Sequence, residues 1–225
     1  IACNQDEESQ DSLIRIRAET AKVIARALQD NGYATKIVDF SNFKETFEEL
    51  QQSDLDLILN LGAKIVNSYS NQISATAVFD ILEMPYTGSN SFTLALLEDQ
   101  IYTKKMLSHH NVPIPRWDYA YQIDDEIRDD LRYPLIVKPA NNLNGIKITN
   151  QWPAVMNKEE LMTQLKKIIF EMEGPAIIEE FIQGDKYNVA ILGNEDDGNL
   201  RALPLARTIF KDGTRELSEN VIVQY

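Results

Sequence analysis

The stretch YPLIVKP, from Tyr133 to Pro139, decides the fold of this chain. An apolar run of this length predicts a buried strand, and Pro139 prevents its continuation because proline has no N–H for a ladder bond. Lys138 therefore leaves the strand at its end, where its ammonium group can reach a phosphate. Taken alone, the pattern also fits a lysine that follows a sheet edge into solvent.

A second stretch, AIIEEFIQG from Ala176 to Gly184, predicts another buried strand, which ends in Glu179 and Glu180. A strand end exposes backbone N–H and C=O groups, and the edge of a purine can use them much as a neighbouring strand would. The alternative is a strand that simply ends in solvated acids.

Outward from these stretches, the N-terminal half alternates short apolar strands with helices, which predicts a parallel sheet covered on both faces. We expect helices at Ser12–Asp30, Phe43–Gln51, Gln72–Leu82 and Phe92–His109, and strands at Ala34–Val38 and Leu55–Leu61.

The C-terminal half is richer in strands, and we place the boundary within Leu97 to Pro115, giving domains at residues 1–97 and 98–225. The strand at Tyr187–Leu192 and the run Leu200–Ala206 predict a β-hairpin through an acidic turn. The other elements predicted here are strands at Arg116–Tyr121, Leu135–Lys138, Gly145–Thr149 and Ala176–Phe181, and a helix at Lys158–Glu171.

Composition excludes several classes of function. The 225 residues carry a net charge of −13, which disfavours binding to nucleic acid or to anionic lipid. No apolar run approaches the roughly 20 residues that a bilayer span requires, and the single cysteine, Cys3, fits a reducing compartment. We therefore expect a cytoplasmic protein. No Gly-x-Gly-x-x-Gly follows the first strand, which argues against a dinucleotide-dependent oxidoreductase.

The order and spacing of six motifs resemble D-alanine:D-alanine ligase and its ATP-grasp relatives over almost the whole chain. The resemblance implies an α/β chain with a Rossmann-like N-terminal (pre-ATP-grasp) half, followed by an incomplete α+β ATP-grasp domain. The motifs are Asn60–Gly62, Pro85–Ser89, Asn111–Pro115, Tyr133–Pro139, Glu179–Gly184 and Val189–Asn194.

Carried over residue by residue, the resemblance implies an ATP site. Lys138 would contact the phosphates, with Lys104 as a weaker second candidate, and Glu179 would approach the adenine amino group. Backbone groups of Glu180, Phe181 and Ile182 would hold the adenine edge. The family's Mg²⁺-binding acids and catalytic arginine would lie beyond residue 225, so no catalytic residue or metal ligand is named within the chain.

The same resemblance implies a ligase that joins a small carboxylate or amino-acid substrate to an amine through an acylphosphate, in a homodimer formed by the N-terminal half. Because the chain begins with Ile1 and ends before the expected acids, we expect a fragment at both ends.

Departures from the family pattern favour a different class, a degenerate ATP-grasp domain that acts as a nucleotide-binding or protein-interaction module. Gln100 stands where relatives carry a lysine, and Lys186 stands where relatives often carry a ribose-binding glutamate. The loop from Ala140 to Lys147 has one glycine where relatives have a loop rich in Gly and Ser. Acids at 6–8 replace the small residues that relatives use for substrate, which argues against D-alanine itself.

Overall fold

A computed structural model describes residues 1–5, 12–66, 72–141, 152–194, 198–210 and 221–224, which fold as a mixed α/β protein. The chain forms two compact units, which divide between Val112 and Pro113, and Asn141 groups with the first unit. This division falls within the stretch predicted to hold the boundary, whereas the assignment of residues 98–112 to an ATP-grasp domain stays a prediction. Within the described ranges, no helix is both long and apolar enough to cross a membrane.

In the first unit, four extended segments lie side by side and run parallel. Residues 38–40 pair with residues 1–3, which pair with residues 58–61, and Ile58 pairs with Tyr86. The parallel arrangement is what alternating strands and helices predict, and the Rossmann-like description stays a prediction. The unit contains β1 (Ala2–Cys3), α1 (Ser12–Asp30), β2 (Val38–Asp39), α2 (Phe43–Gln51), β3 (Lys64–Val66), β4 (Gln72–Ser74), α3 (Thr76–Ile81), α4 (Ser91–Glu98) and α5 (Gln100–His109).

The predicted bounds of α1 and α2 are confirmed, but two other helix predictions are wrong. Residues 72–74 form β4, which pairs antiparallel with β3, so a helix begins only at Thr76. The helix predicted over Phe92–His109 is interrupted at Asp99, whose carboxylate accepts hydrogen bonds from the N–H groups of Ile101 and Tyr102 and so begins α5. Apolar periodicity alone does not show such a break, because the cap depends on one polar side chain.

The core of the first unit is aromatic. Phe79 of α3 is fully buried, and its ring packs edge-on against Phe40 with centroids 5.6 Å apart. The same ring lies tilted against Tyr86, with centroids 5.4 Å apart. These contacts join α3 to the ends of two parallel segments, because Phe40 follows β2 and Tyr86 lies in the fourth segment. Aromatic pairs of this geometry add to the stabilisation that burial itself provides.

In the second unit, a four-stranded antiparallel sheet has the order β5-β8-β6-β7, and α6 packs on one face of it. Leu135, Val137 and Ile178 point into that core, and all are about fully buried. The elements are β5 (Trp117–Ala120), β6 (Leu135–Pro139), β7 (Ala154–Val155), α6 (Lys158–Lys166), a π-helical turn (Lys167–Glu171), β8 (Ala176–Glu180), β9 (Tyr187–Asn188), β10 (Ile191–Leu192), β11 (Arg201–Ala202), β12 (Ala206–Phe210) and β13 (Val221–Gln224).

The structure confirms most element predictions in this unit. The hairpin is present as the antiparallel pair of β10 and β11, and α6 begins at an Asn157 cap that accepts a hydrogen bond from the Glu160 N–H. The strand predicted at Gly145–Thr149 lies outside the described residues. A further three-stranded sheet has the order β13-β12-β9.

Replacing Phe79 by alanine tests the aromatic core of the first unit. The variant leaves a large cavity among packed rings, so we expect the free energy of unfolding to fall by about 3–5 kcal/mol, measured by chemical denaturation. The matched control is Phe92→Ala, since that side chain is 77% exposed and its loss should change stability by no more than about 0.5 kcal/mol. Equal effects of the two substitutions would contradict the assignment of the core.

A set of hydrogen bonds joins the turn at residues 85–90 to α3. The Tyr86 hydroxyl and the Ser91 hydroxyl both donate to the carboxylate of Asp80, at 2.6 and 2.5 Å. The Ser91 bond is the largest cause that lowers the pKa of Asp80, and burial together with the Asp80 bond raises the pKa of Tyr86 to about 12. The turn is therefore joined to α3 through a carboxylate whose ionised form these hydrogen bonds favour.

We expect the Asp80 carboxyl to titrate below the ordinary value of about 3.9 in a carboxyl NMR titration. Because its pKa is lowered by folding, its contribution to stability is present above the unfolded pKa and is lost as the pH falls through the folded pKa. The substitution Ser91→Ala removes the largest cause and should raise the pKa towards the ordinary value. An unchanged titration in that variant would show that the Ser91 contact does not set the pKa.

Candidate nucleotide-binding site

Lys138 and Glu179 lie on the same face of the second unit's sheet and form an ion pair. In the register of β6 and β8, Ile136 is opposite Glu179 and Lys138 is opposite Ile177, so residues 136, 138, 177 and 179 share one face. The Lys138 Nζ lies 2.6 Å from the Glu179 carboxylate, and the two side chains are only 21% and 15% exposed. Two groups predicted to contact ATP are thus brought together, each neutralising the other.

This face is the one opposite the packed core of the unit. Glu179 lies between Ile136 of β6 and Trp117 of β5, which are its direct partners on either side. Trp117 begins a row of aromatic side chains along β5, with centroids 5.9 Å from Trp117 to Tyr119 and 5.6 Å from Tyr119 to Tyr121. The ion pair is therefore enclosed by apolar and aromatic surface, where electrostatic interactions are stronger than in water.

At the end of β8 the pairing with both neighbouring strands stops. The Glu180 N–H donates to the Arg116 carbonyl at 2.9 Å, and the Phe181 N–H donates to the Pro134 carbonyl at 3.0 Å. Pro134 has no N–H to return a bond to Phe181. Within the described residues, no backbone hydrogen bond engages the Glu180 carbonyl or the Ile182 N–H.

The backbone N–H groups of Glu180 and Phe181, which the sequence predicted as contacts for adenine, therefore already have hydrogen-bond partners within the protein. What remains at this strand end is a set of carbonyl acceptors and the Ile182 N–H. The side chains of Phe181 and Ile182 are 43% and 65% exposed, so the strand end is open to solvent.

A charged cluster lies beside the end of β8 and consists of Arg116, Arg128 and Asp130. The guanidinium of Arg128 binds both carboxylate oxygens of Asp130, which also contacts Arg116 at 3.3 Å. The Arg128 hydrogen bond lowers the pKa of Asp130. The Glu180 carboxylate accepts a bond from the Arg132 N–H at 2.9 Å, so this acid supports the loop rather than facing the ion pair.

Lys104 lies in the first unit, on α5, and is 9% exposed. The preceding Asp99 caps the helix, and Gln100, which stands where relatives carry a lysine, occupies the first helical position. Lys104 therefore belongs to the first unit, whereas the other predicted site residues all belong to the second unit.

Only some of the other positions that depart from the family pattern lie within the described residues. Ala140 is fully buried and donates to the Pro175 carbonyl at 2.8 Å, whereas residues 142–147 lie outside the described residues, as do the acids at 6–8. Lys186 is exposed, and its carbonyl accepts a bond from the Thr208 N–H.

No group of three acidic, histidine or cysteine side chains that could hold a metal occurs in the described part of the chain.

Comparisons with known proteins agree with this architecture. Residues 109–216 match the family described as D-ala D-ala ligase C-terminus. A D-alanine–D-alanine ligase of Carboxydothermus hydrogenoformans is 27% identical over 205 residues, which cover 87% of this chain and 61% of that protein. The chain therefore spans about three-fifths of the length of this curated relative.

Solved structures of the D-alanine–D-alanine ligase from Bacillus anthracis share the fold. One has a TM-score of 0.70 at 19% identity and covers 99% of this chain and 69% of its own. A second, described as complexed with ATP, has a TM-score of 0.70 at 21% identity, with coverage of 99% and 68%.

The family match and the curated relative agree with the resemblance to D-alanine:D-alanine ligase and its ATP-grasp relatives that the order of the motifs predicted. The solved structures show that the fold is shared.

Sequence reasoning missed Trp117, Ile136 and the Arg128–Asp130 pair as parts of this region. The period-two placement of aromatic residues at 117, 119 and 121 was a readable signal that one face of β5 is aromatic. No sequence signal identified Asp130, because its partners lie 2 and 14 residues away in an irregular loop.

A double-mutant cycle on Lys138 and Glu179 tests the ion pair. Each of Lys138→Met and Glu179→Gln removes one charge of a partly buried pair, so we expect each to lower the free energy of unfolding by about 1–3 kcal/mol. The double variant should lose less than the sum of the two, with a coupling of about 0.5–3 kcal/mol. Additive losses would show that the pair does not contribute as a pair.

Proposed function

We propose that the protein is an ATP-dependent carboxylate–amine ligase in which the open end of β8 and the Lys138–Glu179 pair form part of the ATP site. The observation that carries the proposal is this pair, which places a cation and an acid side by side beside unused backbone groups. A nucleotide needs such a combination, because its base offers neutral hydrogen-bonding groups and its phosphates carry negative charge.

The strand end complements the edge of adenine. Adenine presents an amino donor next to ring-nitrogen acceptors, and here the Glu180 carbonyl can accept from the amino group while the Ile182 N–H donates to a ring nitrogen. The Glu179 carboxylate offers a second acceptor for the amino group. A 6-oxo purine would place an acceptor against these acceptors and would be disfavoured.

Lys138 supplies the charge for the phosphates. Its ammonium group is held by Glu179 near the base, and a triphosphate that enters the site offers it stronger anionic partners. The Glu179 carboxylate would then accept a hydrogen bond from the adenine amino group. The ion pair thus keeps both side chains charged and oriented before the nucleotide arrives, which reduces the cost of ordering them on binding.

The reaction proposed has two steps. A substrate carboxylate oxygen attacks the γ-phosphorus of ATP, the bond to the β,γ-bridging oxygen breaks, and ADP leaves with an acylphosphate formed. An amine nitrogen then attacks the acyl carbon, loses a proton and expels phosphate. Positioning and charge stabilisation dominate catalysis of phosphoryl transfer, and Lys138 is this chain's named contribution to both.

Mg²⁺ is part of this proposal only as the resemblance implies it. The described residues offer no cluster of ligands for it, so no step is assigned to it here. The small carboxylate or amino-acid substrate and the homodimer also remain predictions.

The rival function is a degenerate ATP-grasp module without ligase activity. Gln100 in the first turn of α5 and the exposed Lys186 favour it, because each departs from the charge that the family pattern places there. Both hypotheses retain the fold, and a degenerate module would bind ATP weakly or not at all, or bind it without releasing ADP. ATP affinity, followed by ADP release in the presence of amino acids, therefore separates them.

The test is calorimetry of ATP binding in the presence of magnesium, using the full-length protein. We expect micromolar affinity, and we expect Lys138→Ala to weaken it tenfold or more, about 1.4 kcal/mol. The matched control is Lys166→Ala, an exposed lysine on α6 at the opposite face of the sheet, which should leave the affinity unchanged.

Replacing ATP with GTP in the same titration tests the base contact. We expect GTP to bind at least tenfold more weakly to the wild-type protein. A full-length protein that binds no ATP would overturn the ligase proposal and favour the rival, and equal effects of the two lysine substitutions would remove Lys138 from the site.

A further inference from the structure

Trp117 lies beside Glu179, on the side of β8 away from Lys138. In the sheet order β5-β8-β6, Trp117 belongs to β5 and Lys138 to β6, so the two side chains flank Glu179 from opposite sides. Directly opposite residues of antiparallel strands share a face, and all three side chains lie on the face opposite the packed core. Lys138, Glu179 and Trp117 therefore form an oblique row across the sheet, in that order.

The hydrogen-bonding pattern places Trp117 close to Glu179. The Glu180 N–H donates to the Arg116 carbonyl at 2.9 Å, so the next opposite pair, Trp117 and Glu179, is a non-hydrogen-bonded pair. On its other side Glu179 forms a hydrogen-bonded pair with Ile136, because alternate residues of a strand turn their N–H groups to opposite sides. Cα atoms lie about 4.5 Å apart in the first kind of pair and about 5.5 Å apart in the second. Glu179 is therefore nearer to the tryptophan.

The indole of Trp117 is supported by its neighbours. Its ring contacts Tyr119 with centroids 5.9 Å apart, and Tyr119 meets Tyr121 at 5.6 Å. The Arg128 guanidinium donates to the Trp117 carbonyl at 3.4 Å. A tryptophan has only two side-chain torsions, so contacts on both its ring and its backbone leave it little freedom to move aside. Trp117 is a stiff wall next to Glu179.

The direction of this wall follows from the proposed ATP site. In that site the phosphates lie at Lys138 and the adenine amino group lies at the Glu179 carboxylate. The amino group is at the end of the base farthest from the ribose, so a substituent on its nitrogen would extend past Glu179 and away from Lys138. In the register of the sheet that direction leads to the indole of Trp117.

We propose that Trp117 sets the size limit of the base site at the adenine amino group, so that ATP is accepted and analogues with a bulky substituent on that nitrogen are rejected. The inference rests on the proposed function, because it concerns the same nucleotide site. The hydrogen-bonding groups at the end of β8 select a purine by its donors and acceptors, whereas Trp117 selects it by volume. A steric clash of this kind is a repulsive element of specificity.

The experiment is calorimetric binding of ATP and of ATP with a benzyl group on its amino nitrogen, using the full-length protein. The analogue keeps one amino hydrogen and all three phosphates, so it tests size at that nitrogen. The wild-type protein should bind the analogue more weakly than ATP by about tenfold or more. Trp117→Ala removes an indole that is larger than the benzyl ring, so the ratio of analogue affinity to ATP affinity should rise by about tenfold or more.

The matched control is Tyr121→Ala, at the other end of the same aromatic row, where the side chain is 50% exposed. This variant should keep the wild-type affinity ratio. Trp117→Phe should give an intermediate ratio, because a phenyl ring fills only part of the volume of an indole. Melting temperatures from circular dichroism identify the variants that fold, and Trp117→Phe carries the test if Trp117→Ala does not fold.

Two outcomes would overturn the inference while leaving the proposed function in place. They are wild-type binding of the analogue as tight as that of ATP, and a wild-type ratio in the folded Trp117 variants. Loss of ATP binding by folded Trp117→Phe would also overturn it, since the indole would then be needed for ATP itself. Absence of ATP binding in the wild-type protein would instead count against the proposed function.

Discussion

The second unit depends on one strand, β8, which is hydrogen-bonded on both sides. Ala176, Ile177 and Ile178 are fully buried because β5 and β6 flank them, and one face of the sheet is covered by α6. A strand held in this way cannot slip by one residue without turning its buried side chains to the other face. The register fixes Glu179 beside Lys138, and it also fixes where pairing stops.

The backbone pairing of β8 stops where the strand end is open to solvent and next to the ion pair. Arg116 on one side and Pro134 on the other take the last two N–H groups of the strand, and neither returns a bond. The result is a solvent-open strand end with spare acceptors next to a nearly buried ion pair. The loop that carries Arg128 and Asp130 braces this end, because Arg128 also binds backbone and side-chain oxygens of β5. Acceptor groups at the end of a braced strand are held in place by the fold itself, which lowers the cost of ordering them in the proposed ATP site.

In the first unit, polar side chains complete the backbone hydrogen bonding at the ends of the strands. Its parallel strands are short, and asparagine side chains complete the backbone pairing that the strands leave open, as Asn4 does with Lys64. Asp39 does the same at the end of β2, accepting from the N–H groups of Gln5 and Ser41. Polar side chains at strand ends therefore have structural roles in this unit.

The sequence by itself determined the elements whose signals are local. The apolar runs at 135–139 and 176–180, the periodicity of α1 and the proline after Lys138 each reflect a nearest-neighbour requirement of strand or helix. It also predicted the resemblance to the ATP-grasp proteins, with which the comparisons agree. It did not determine the break at Asp99, the strand at 72–74 or the pairing of Lys138 with Glu179. The break depends on a single capping side chain, and the strand depends on its pairing with residues 64–66. The ion pair joins residues that are far apart in the sequence, and only the tertiary structure brings them within hydrogen-bonding distance.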